Sequence, residues 1–241
     1  MKNAGRIPSI PLITGKVPFE YSEAYKALRT NFNFAAVDGG NRKVIITSAI
    51  PDEGKSSVAI NFAISLTQIG KRVLLIDADL RKPSVHLYLN IKRDPEHNIA
   101  TVLAGSVTLE ESIIGTVHGF DVLIGGVTPP NPAELISSHA MDALLGKALE
   151  TYDYVICDAP PVGLVTDAAA LSTLCDGVLF VVRQGFAKKN MVQGAIHKLH
   201  TVNAKILGIV MNHYDLSDAS TKDYSYYGHY GKYGKYGKYG K

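Results

Sequence analysis

Residues 44–83 read VIITSAI, PDEGKSS, VAINFAISLTQIG and KRVLLIDADLRKP, and this stretch decides the fold. Its first four residues are apolar and β-branched, as in a buried strand. The GKSS segment at 54–57 then opens a helix whose apolar residues recur every three or four positions and which should stop at Gly70. VLLID, residues 73–77, is a second buried strand. The pattern predicts a right-handed strand–loop–helix–strand unit.

The loop before the helix has the chemistry of a phosphate site. Backbone N–H groups at a helix N-terminus converge on one spot and carry the positive end of the helix dipole. Lys55 is placed to reach the β- and γ-phosphates of ATP, and the Ser56 hydroxyl to bind Mg²⁺. The usual phosphate-loop pattern, G-x-x-x-x-G-K-[ST], begins with glycine, and this chain has Ala49 at that position. An ordinary Gly-Lys turn is the alternative, but it leaves Asp77 and Asp79 unexplained.

Further polar residues follow other predicted strands. Strands are predicted at 121–124, 154–157, 177–182 and 205–211. The third acidic strand end is Asp158, which suits the Mg²⁺ shell of a phosphate-transferring enzyme. Arg183 and Asn212 end the last two strands, and ligands of open parallel sheets bind at that edge. Asn212 has the chemistry to read an adenine edge, although a plain turn residue fits nearly as well.

The predicted helices flank these strands. One runs from an N-cap at Ser22 to about residue 37, with an apolar stripe of Ala24, Leu28, Phe32 and Ala35. Short helices are predicted within 84–120, a further helix begins at Asn131, and another spans about 188–200. The predicted fold is α/β, with a mostly parallel sheet between two helical layers.

Composition limits the function classes. The chain has 241 residues, enough for one domain, and no apolar run approaches the ~18 residues of a membrane span. Without a signal-peptide core, we expect a cytoplasmic protein. Cys157 and Cys175 should be reduced and inert, and no histidine spacing indicates a metal cage. The net charge of +3 belongs to the C-terminus, where residues 222–241 hold five lysines and one aspartate. This distribution argues against a nucleic-acid-binding face.

Three segments are predicted. Residues 1–18 contain three prolines and form an extended arm, residues 19–214 form the α/β domain, and residues 215–241 form a flexible tail of Tyr-Gly-Lys repeats. Seven of the thirteen tyrosines lie in this tail. From the residues alone, the tail suits either cationic binding to membranes or RNA, or a run of phosphoacceptors.

With these features together, the sequence resembles the bacterial tyrosine kinases, and within them the soluble type of Gram-positive capsular and exopolysaccharide operons. SAIPDEGKSS, VLLIDADLRKP and VICDAPP are similar to that family's Walker A, Walker A′ and Walker B motifs, and PPNPAELISS to another family segment. Family members carry an E-x-x-R-x-x-R helix used in ring assembly. Here Glu23, Lys26 and Arg29 occupy these positions, with lysine for the first arginine, although a merely solvated helix face is the plainer interpretation.

The resemblance implies a P-loop enzyme that uses ATP and Mg²⁺ to phosphorylate tyrosine. Catalysis is assigned to Lys55, Asp77, Asp79 and Asp158, and metal binding to Ser56, Asp77 and Asp158. The predicted nucleotide-binding residues are Asp52, Glu53, Gly54, Lys55, Ser56, Ser57, Arg183 and Asn212. The predicted phosphoacceptors are Tyr224, Tyr226, Tyr227, Tyr230, Tyr233, Tyr236 and Tyr239.

The implied partners are a separate membrane-embedded adaptor, further copies of the chain in a ring, and a phosphotyrosine phosphatase. Recruitment by the adaptor would place the protein at the inner face of the membrane. The main rival is a ParA/MinD-like regulatory ATPase. That class has a second lysine where this chain has Ile50, and it lacks a tyrosine tail. A binding or scaffold protein is the third alternative, but it would not need three acidic strand ends.

Overall fold

The computed structural model describes residues 10–35 and 40–214. The helices within these ranges are α1 Phe19–Ala35, α2 Lys55–Thr67, α3 Val85–Tyr88, α4 Ile99–Leu103, α5 Leu109–Ser112, α6 Pro132–Ile136, α7 His139–Thr151, α8 Asp167–Ser172 and α9 Lys189–Thr201. The strands are β1 Lys43–Ser48, β2 Val73–Asp77, β3 Ile114–Gly115, β4 Asp121–Leu123, β5 Tyr154–Asp158, β6 Gly177–Arg183 and β7 Ile206–Asn212. The predicted tail lies outside the described residues.

The strands form one sheet in the order β3-β4-β2-β5-β1-β6-β7. All neighbours are parallel except the short β3, which runs antiparallel to β4 and has no signal in the sequence. β5 lies between β1 and β2, so the two strands of the phosphate-loop unit are not direct neighbours. This order places the ends of β1, β2 and β5 side by side, which brings the phosphate loop next to two of the acidic strand ends.

Successive side chains of the central strands enter two apolar layers. Ile45 belongs to the layer beneath α4 and α6–α9, whereas Ile46 belongs to the layer beneath α1, α2 and α3. Both side chains are fully buried. Because side chains alternate along a strand, a sheet covered by helices on both faces needs continuous apolar strands. This burial explains the unbroken VIIT and VLLID runs.

The first helix differs from the prediction. It begins at Phe19, and Ser22 is an interior residue whose hydroxyl donates to the Phe19 carbonyl (2.8 Å), so Ser22 is not the N-cap. Tyr25 and Phe32 are its buried residues, whereas Ala24 and Ala35 are exposed. The predicted stripe was therefore wrong at both alanines, because the larger aromatic side chains take the core face.

One helix end is confirmed and one helix prediction changes. The regular helix α2 spans Lys55–Thr67, and its last turn closes at Gly70, which has a positive φ of 78°. Gly70 N donates to Thr67 O (2.9 Å) and Lys71 N donates to Leu66 O (3.3 Å), as expected for a glycine that ends a helix, and Ile69 is exposed in this turn. The helix predicted from Asn131 is two helices, since Ser138 starts α7 as a new N-cap that accepts from Met141 N (3.2 Å). Across the described ranges, no helix combines the length and apolar content needed to cross a membrane.

Candidate active site

The loop between β1 and α2 is a tight turn fixed by the end of β7. Asp52 and Gly54 have positive φ angles of 62° and 89°. A Cβ atom on Gly54 would lie 2.0 Å from Asn212 Nδ2, so only glycine fits here. Asn212 Nδ2 also donates to the Glu53 carbonyl (2.8 Å). The predicted adenine reader therefore lies against the phosphate loop and helps to hold its shape.

Glu53 and Arg183 brace the same loop. The fully buried Glu53 carboxylate accepts from Ile50 N (2.9 Å) and from Arg183 N (3.4 Å). Arg183 Nη1 donates to the Asp52 carbonyl (3.4 Å), and its guanidinium lies 4.7 Å from the centre of the Phe186 ring. The structure thus turns the Glu53 carboxylate toward the protein backbone.

Asp77 and Asp158 form a buried pair of carboxylates. They are register partners at the ends of β2 and β5, and both side chains are removed from solvent. Asp77 Oδ2 accepts from Ser84 N (2.9 Å) and Val85 N (3.0 Å). Within the part of the chain that the structure describes, Oδ1 of each residue has no hydrogen-bond partner. Unpaired buried carboxylate oxygens are costly, so the pair calls for a shared cation or proton.

Burial perturbs both carboxyl groups. It raises the pKa of Asp77 well above its usual range, and the negative charge of Asp158 adds to this effect. Burial also raises the pKa of Asp158 to about 6, although the Lys55 charge and hydrogen bonding from Ser56 act in the opposite direction. Lys55 is itself buried at the start of α2. The site therefore combines one lysine with two carboxyl groups whose ionisation is opposed by burial.

Ser84 is a site residue that the sequence reasoning missed. Its hydroxyl lies 3.1 Å from the Ser56 hydroxyl, and its backbone N–H binds Asp77 as described above. The signal was its place directly after Pro83, seven residues beyond Asp77. Asp79 is half-buried, and its Oδ1 accepts from Lys82 N (2.9 Å), which closes the turn between the two. Ser56 and Ser84 thus connect the phosphate loop to the segment that follows β2.

The sequence is similar to those of known proteins. A family model described as an AAA domain matches residues 51–212. The tyrosine-protein kinase YwqD of Bacillus subtilis (strain 168) is 43% identical over 206 residues, which are 85% of each chain. The chain belongs to the bacterial tyrosine-protein kinases. The tyrosine-protein kinase etk of Escherichia coli (strain K12) is 36% identical over 224 residues, which are 92% of this chain but 30% of etk.

Solved structures agree with this membership. The crystal structure of the chimerical protein CapA2B2 matches this kinase with a TM-score of 0.78 and 36% identity, over 85% of this chain and 92% of that chain. The kinase domain of the Escherichia coli tyrosine kinase ETK matches with a TM-score of 0.80 and 34% identity. The match covers 90% of this chain and 86% of the ETK chain. The protein is a tyrosine kinase with a nucleotide-binding P-loop fold, and not the regulatory ATPase or the scaffold that we considered as alternatives.

The kinase site fits Mg²⁺. This ion is usually held by one or two carboxylates together with phosphate oxygens and water. In the part of the chain that the structure describes, Asp77 and Asp158 offer two buried carboxylate oxygens without a hydrogen-bond partner, and Ser56 adds a hydroxyl. Among the described residues, no group of three or more His, Cys, Asp and Glu side chains is placed to hold a metal ion without a ligand. An ion here would therefore share its coordination with the nucleotide.

The predicted assembly residues of the kinase lie on α1. Lys26 Nζ and Glu23 Oε1 form an exposed ion pair (2.7 Å). Arg29 turns inward, and its Nη1 donates to the carbonyl and to the hydroxyl of Ser65 in α2. In the single chain, all three side chains therefore have intramolecular partners. The tail phosphoacceptors lie outside the described residues.

Proposed function

We propose that the kinase transfers the γ-phosphoryl group of ATP to the tyrosines of its own C-terminal tail. Lys55 and the first N–H groups of α2 would hold the phosphates, with Asp52, Ser57, Arg183 and Asn212 around the nucleotide. The observation that supports this best is the buried pair Asp77 and Asp158: within the described residues each has an unpaired oxygen, and the Lys55 charge and the Ser56 hydroxyl act on Asp158.

The site residues share two tasks in this proposal, and Asp77 takes part in both. Ser56 and Asp158, with Asp77 next to them, would hold Mg²⁺, which neutralises charge on the β- and γ-phosphates when bound. Asp77 would orient the tyrosine hydroxyl and accept its proton, and Asp79 is the alternative for that role. The hydrogen bonds from Ser84 N and Val85 N fix Oδ2 of Asp77 and leave its Oδ1 for a ligand. Preorganised charges of this kind account for much of the rate of phosphoryl transfer.

The first experiment tests the phosphate site. Lys55→Met should abolish phosphotyrosine formation on incubation with Mg-ATP, because it removes a charge partner of the transferred group. Lys71→Met is the matched control, since Lys71 is exposed beyond the other end of α2. Circular dichroism should show that both variants stay folded. An unchanged phosphotyrosine signal in Lys55→Met would refute the assignment of the loop.

The second experiment tests the tail and transfer between chains. A variant with phenylalanine at all seven tail tyrosines can donate phosphate but has no tail acceptor, and a longer, tagged Lys55→Met chain can only accept it. When the two are mixed with Mg-ATP, phosphotyrosine should appear on the tagged chain. Phosphotyrosine on the unaltered protein but on neither of the mixed variants would show that transfer occurs within one chain. The proposed transfer between chains would then be wrong.

We further propose a membrane-embedded adaptor as the activator, a ring of kinase copies assembled through α1, and a phosphatase that resets the tail. The adaptor would hold the protein at the cytoplasmic face of the membrane, where it would regulate synthesis of capsular or other extracellular polysaccharide. The family resemblance and the match to a chimerical protein support the adaptor. Ring assembly through α1 would require Glu23, Lys26 or Arg29 to exchange its intramolecular partner for one on a neighbour.

Tail phosphorylation would dissolve this ring. The tail residues 222–241 carry five lysines and one aspartate, and each phosphate adds about −1.5 to −2 charges at neutral pH. Three phosphates would thus cancel the positive charge that attracts the tail to an acidic site. Light scattering should show that ATP converts an oligomer to monomers, but not in the variant with seven phenylalanines. Equal dissociation of that variant would assign the effect to nucleotide binding.

A further inference from the structure

An ion pair between the exposed Arg81 and the buried Asp167 lies next to the site and was not recognised from the sequence. Arg81 Nε donates to Asp167 Oδ2 (2.8 Å), and Arg81 Nη2 donates to Asp167 Oδ1 (3.0 Å). The Asp167 side chain is fully buried, whereas that of Arg81 is 42% exposed. Such a two-bond contact fixes the direction of the guanidinium as well as its distance. The pair therefore sets the relative position of the two segments that carry it.

Arg81 belongs to residues 78–84, the segment between β2 and α3 that contains Asp79. This segment has further anchors: Thr128 Oγ1 donates to the Arg81 carbonyl (3.2 Å), and Arg93 Nη2 donates to the Pro83 carbonyl (3.1 Å). Among the residues that the structure describes, the Asp79 side chain is bonded only within the turn that these anchors hold, through Lys82 N. The backbone position of Asp79 therefore depends on contacts made by its neighbours.

Asp167 is the first residue of α8, which follows the segment after Asp158. That segment is tied to β1, since Ala159 N donates to Ile46 O (3.0 Å) and Val162 N donates to Ser48 O (2.9 Å). Asp167 is thus part of the rigid frame that carries Asp158 and the phosphate loop. Arg81 connects this frame to the segment that carries Asp79 and, at its other end, the N–H groups that bind Asp77.

We propose that Arg81 and Asp167 are a positioning pair for phosphoryl transfer. The pair acts through the 78–84 segment and holds Asp79, together with the N–H groups that bind Asp77, at a fixed position relative to Asp158 and the phosphate loop. The inference rests on the proposed roles of these carboxylates. A misplacement of about 1 Å in a reacting group can reduce a rate about 100-fold. Loosening the pair should therefore lower kcat and leave the KM for ATP nearly unchanged.

The test uses Arg81→Lys, which keeps the charge but loses the two-bond geometry. We expect kcat for phosphotyrosine formation to fall about 10-fold or more, with the KM for ATP within about 2-fold and the Kd of Mg-ADP unchanged by calorimetry. Arg72→Lys is the matched control, because Arg72 and Asp153 form an exposed pair (3.8 Å) that holds no segment of the site. Its kcat should equal that of the unaltered protein.

A second variant separates positioning from simple stabilisation. Removing one partner leaves a buried, uncompensated charge, whereas replacing both by apolar residues of similar size often preserves stability. The double variant Arg81→Met with Asp167→Leu should thus keep its Tm but retain the low kcat. A folded double variant with full kcat would overturn the proposal, as would a rise in KM that accounts for the whole loss of kcat/KM. If the unaltered chain forms no phosphotyrosine in this assay, the tail-directed function fails instead.

Discussion

The buried carboxyl of Asp158 should make the free energy of unfolding fall as the pH rises. Burial raises its pKa from 3.8 to about 6, so the folded protein retains this proton at a pH at which the unfolded chain has lost it. The resulting stability is complete below about pH 4 and is lost as the pH rises through about 6. Two pKa units at about 1.4 kcal/mol each give a loss of about 3 kcal/mol.

The assay is urea denaturation between pH 4 and pH 8, with EDTA present, of the unaltered protein and of Asp158→Asn. Other groups titrate in both proteins, so the informative quantity is the difference between their unfolding free energies at each pH. That difference should shift by about 3 kcal/mol in favour of the asparagine variant as the pH rises. Removing the Asp158 charge also lowers the pKa of Asp77, which acts in the same direction.

Asp142→Asn is the control for losing one charge, because Asp142 is exposed on α7. Its difference from the unaltered protein should not change between pH 4 and pH 8. The reasoning would be refuted if the Asp158→Asn difference were equally flat. In that case the Lys55 charge would compensate for the burial of Asp158 in the folded protein. The variant should have no kinase activity at any pH, so a gain in stability would accompany loss of function.

Three further perturbations test other parts of the site. Asp77→Ala should abolish phosphoryl transfer and change the Kd of ATP by less than about 3-fold; an equal loss of affinity and rate would make Asp77 chiefly a metal ligand. Gly54→Ala should weaken Mg-ADP binding at least 10-fold by calorimetry, because its Cβ would meet the Asn212 amide at 2.0 Å. Asn61→Ala should cost about 2 kcal/mol in urea denaturation, since the buried Asn61 amide accepts from Ile13 N (2.9 Å) and donates to Pro11 O (3.0 Å).

Sequence reasoning located the strand ends because they combine two strong local signals. An apolar, β-branched run followed at once by a carboxylate predicts both a buried strand and an exit at the ligand edge, and β2 and β5 end at Asp77 and Asp158. The order of the strands in the sheet could not be predicted from such local signals. That β5 separates β1 from β2 depends on contacts between distant segments, and it is this order that makes Asp77 and Asp158 register partners.

The missed residues have in common that their partners are distant along the chain. Arg81 is separated from Asp167 by 86 positions and Ser56 from Ser84 by 28, so no local pattern pairs them. Glu53 illustrates a different limit. Its place in the phosphate loop predicts contact with the nucleotide, whereas its carboxylate is bound to backbone N–H groups of its own loop and of β6. Residue type predicted the polar chemistry of this region, and the fold decided where each side chain points.

The same charges that destabilise the nucleotide-free protein are available to bind its ligand. Over residues 10–35 and 40–214, Asp77 and Asp158 each keep a buried oxygen without a hydrogen-bond partner, and burial opposes the ionised form of both. A cation bound between them would favour ionisation and supply the missing partner, so part of the pH-dependent loss of stability should be recovered when Mg-ADP binds. Mg-ADP should therefore raise the Tm of the unaltered protein more at pH 8 than at pH 5, because at the lower pH protons compete for the same oxygens. A nucleotide-induced shift in Tm that is independent of pH would mean that the carboxylate pair takes no part in binding the ion.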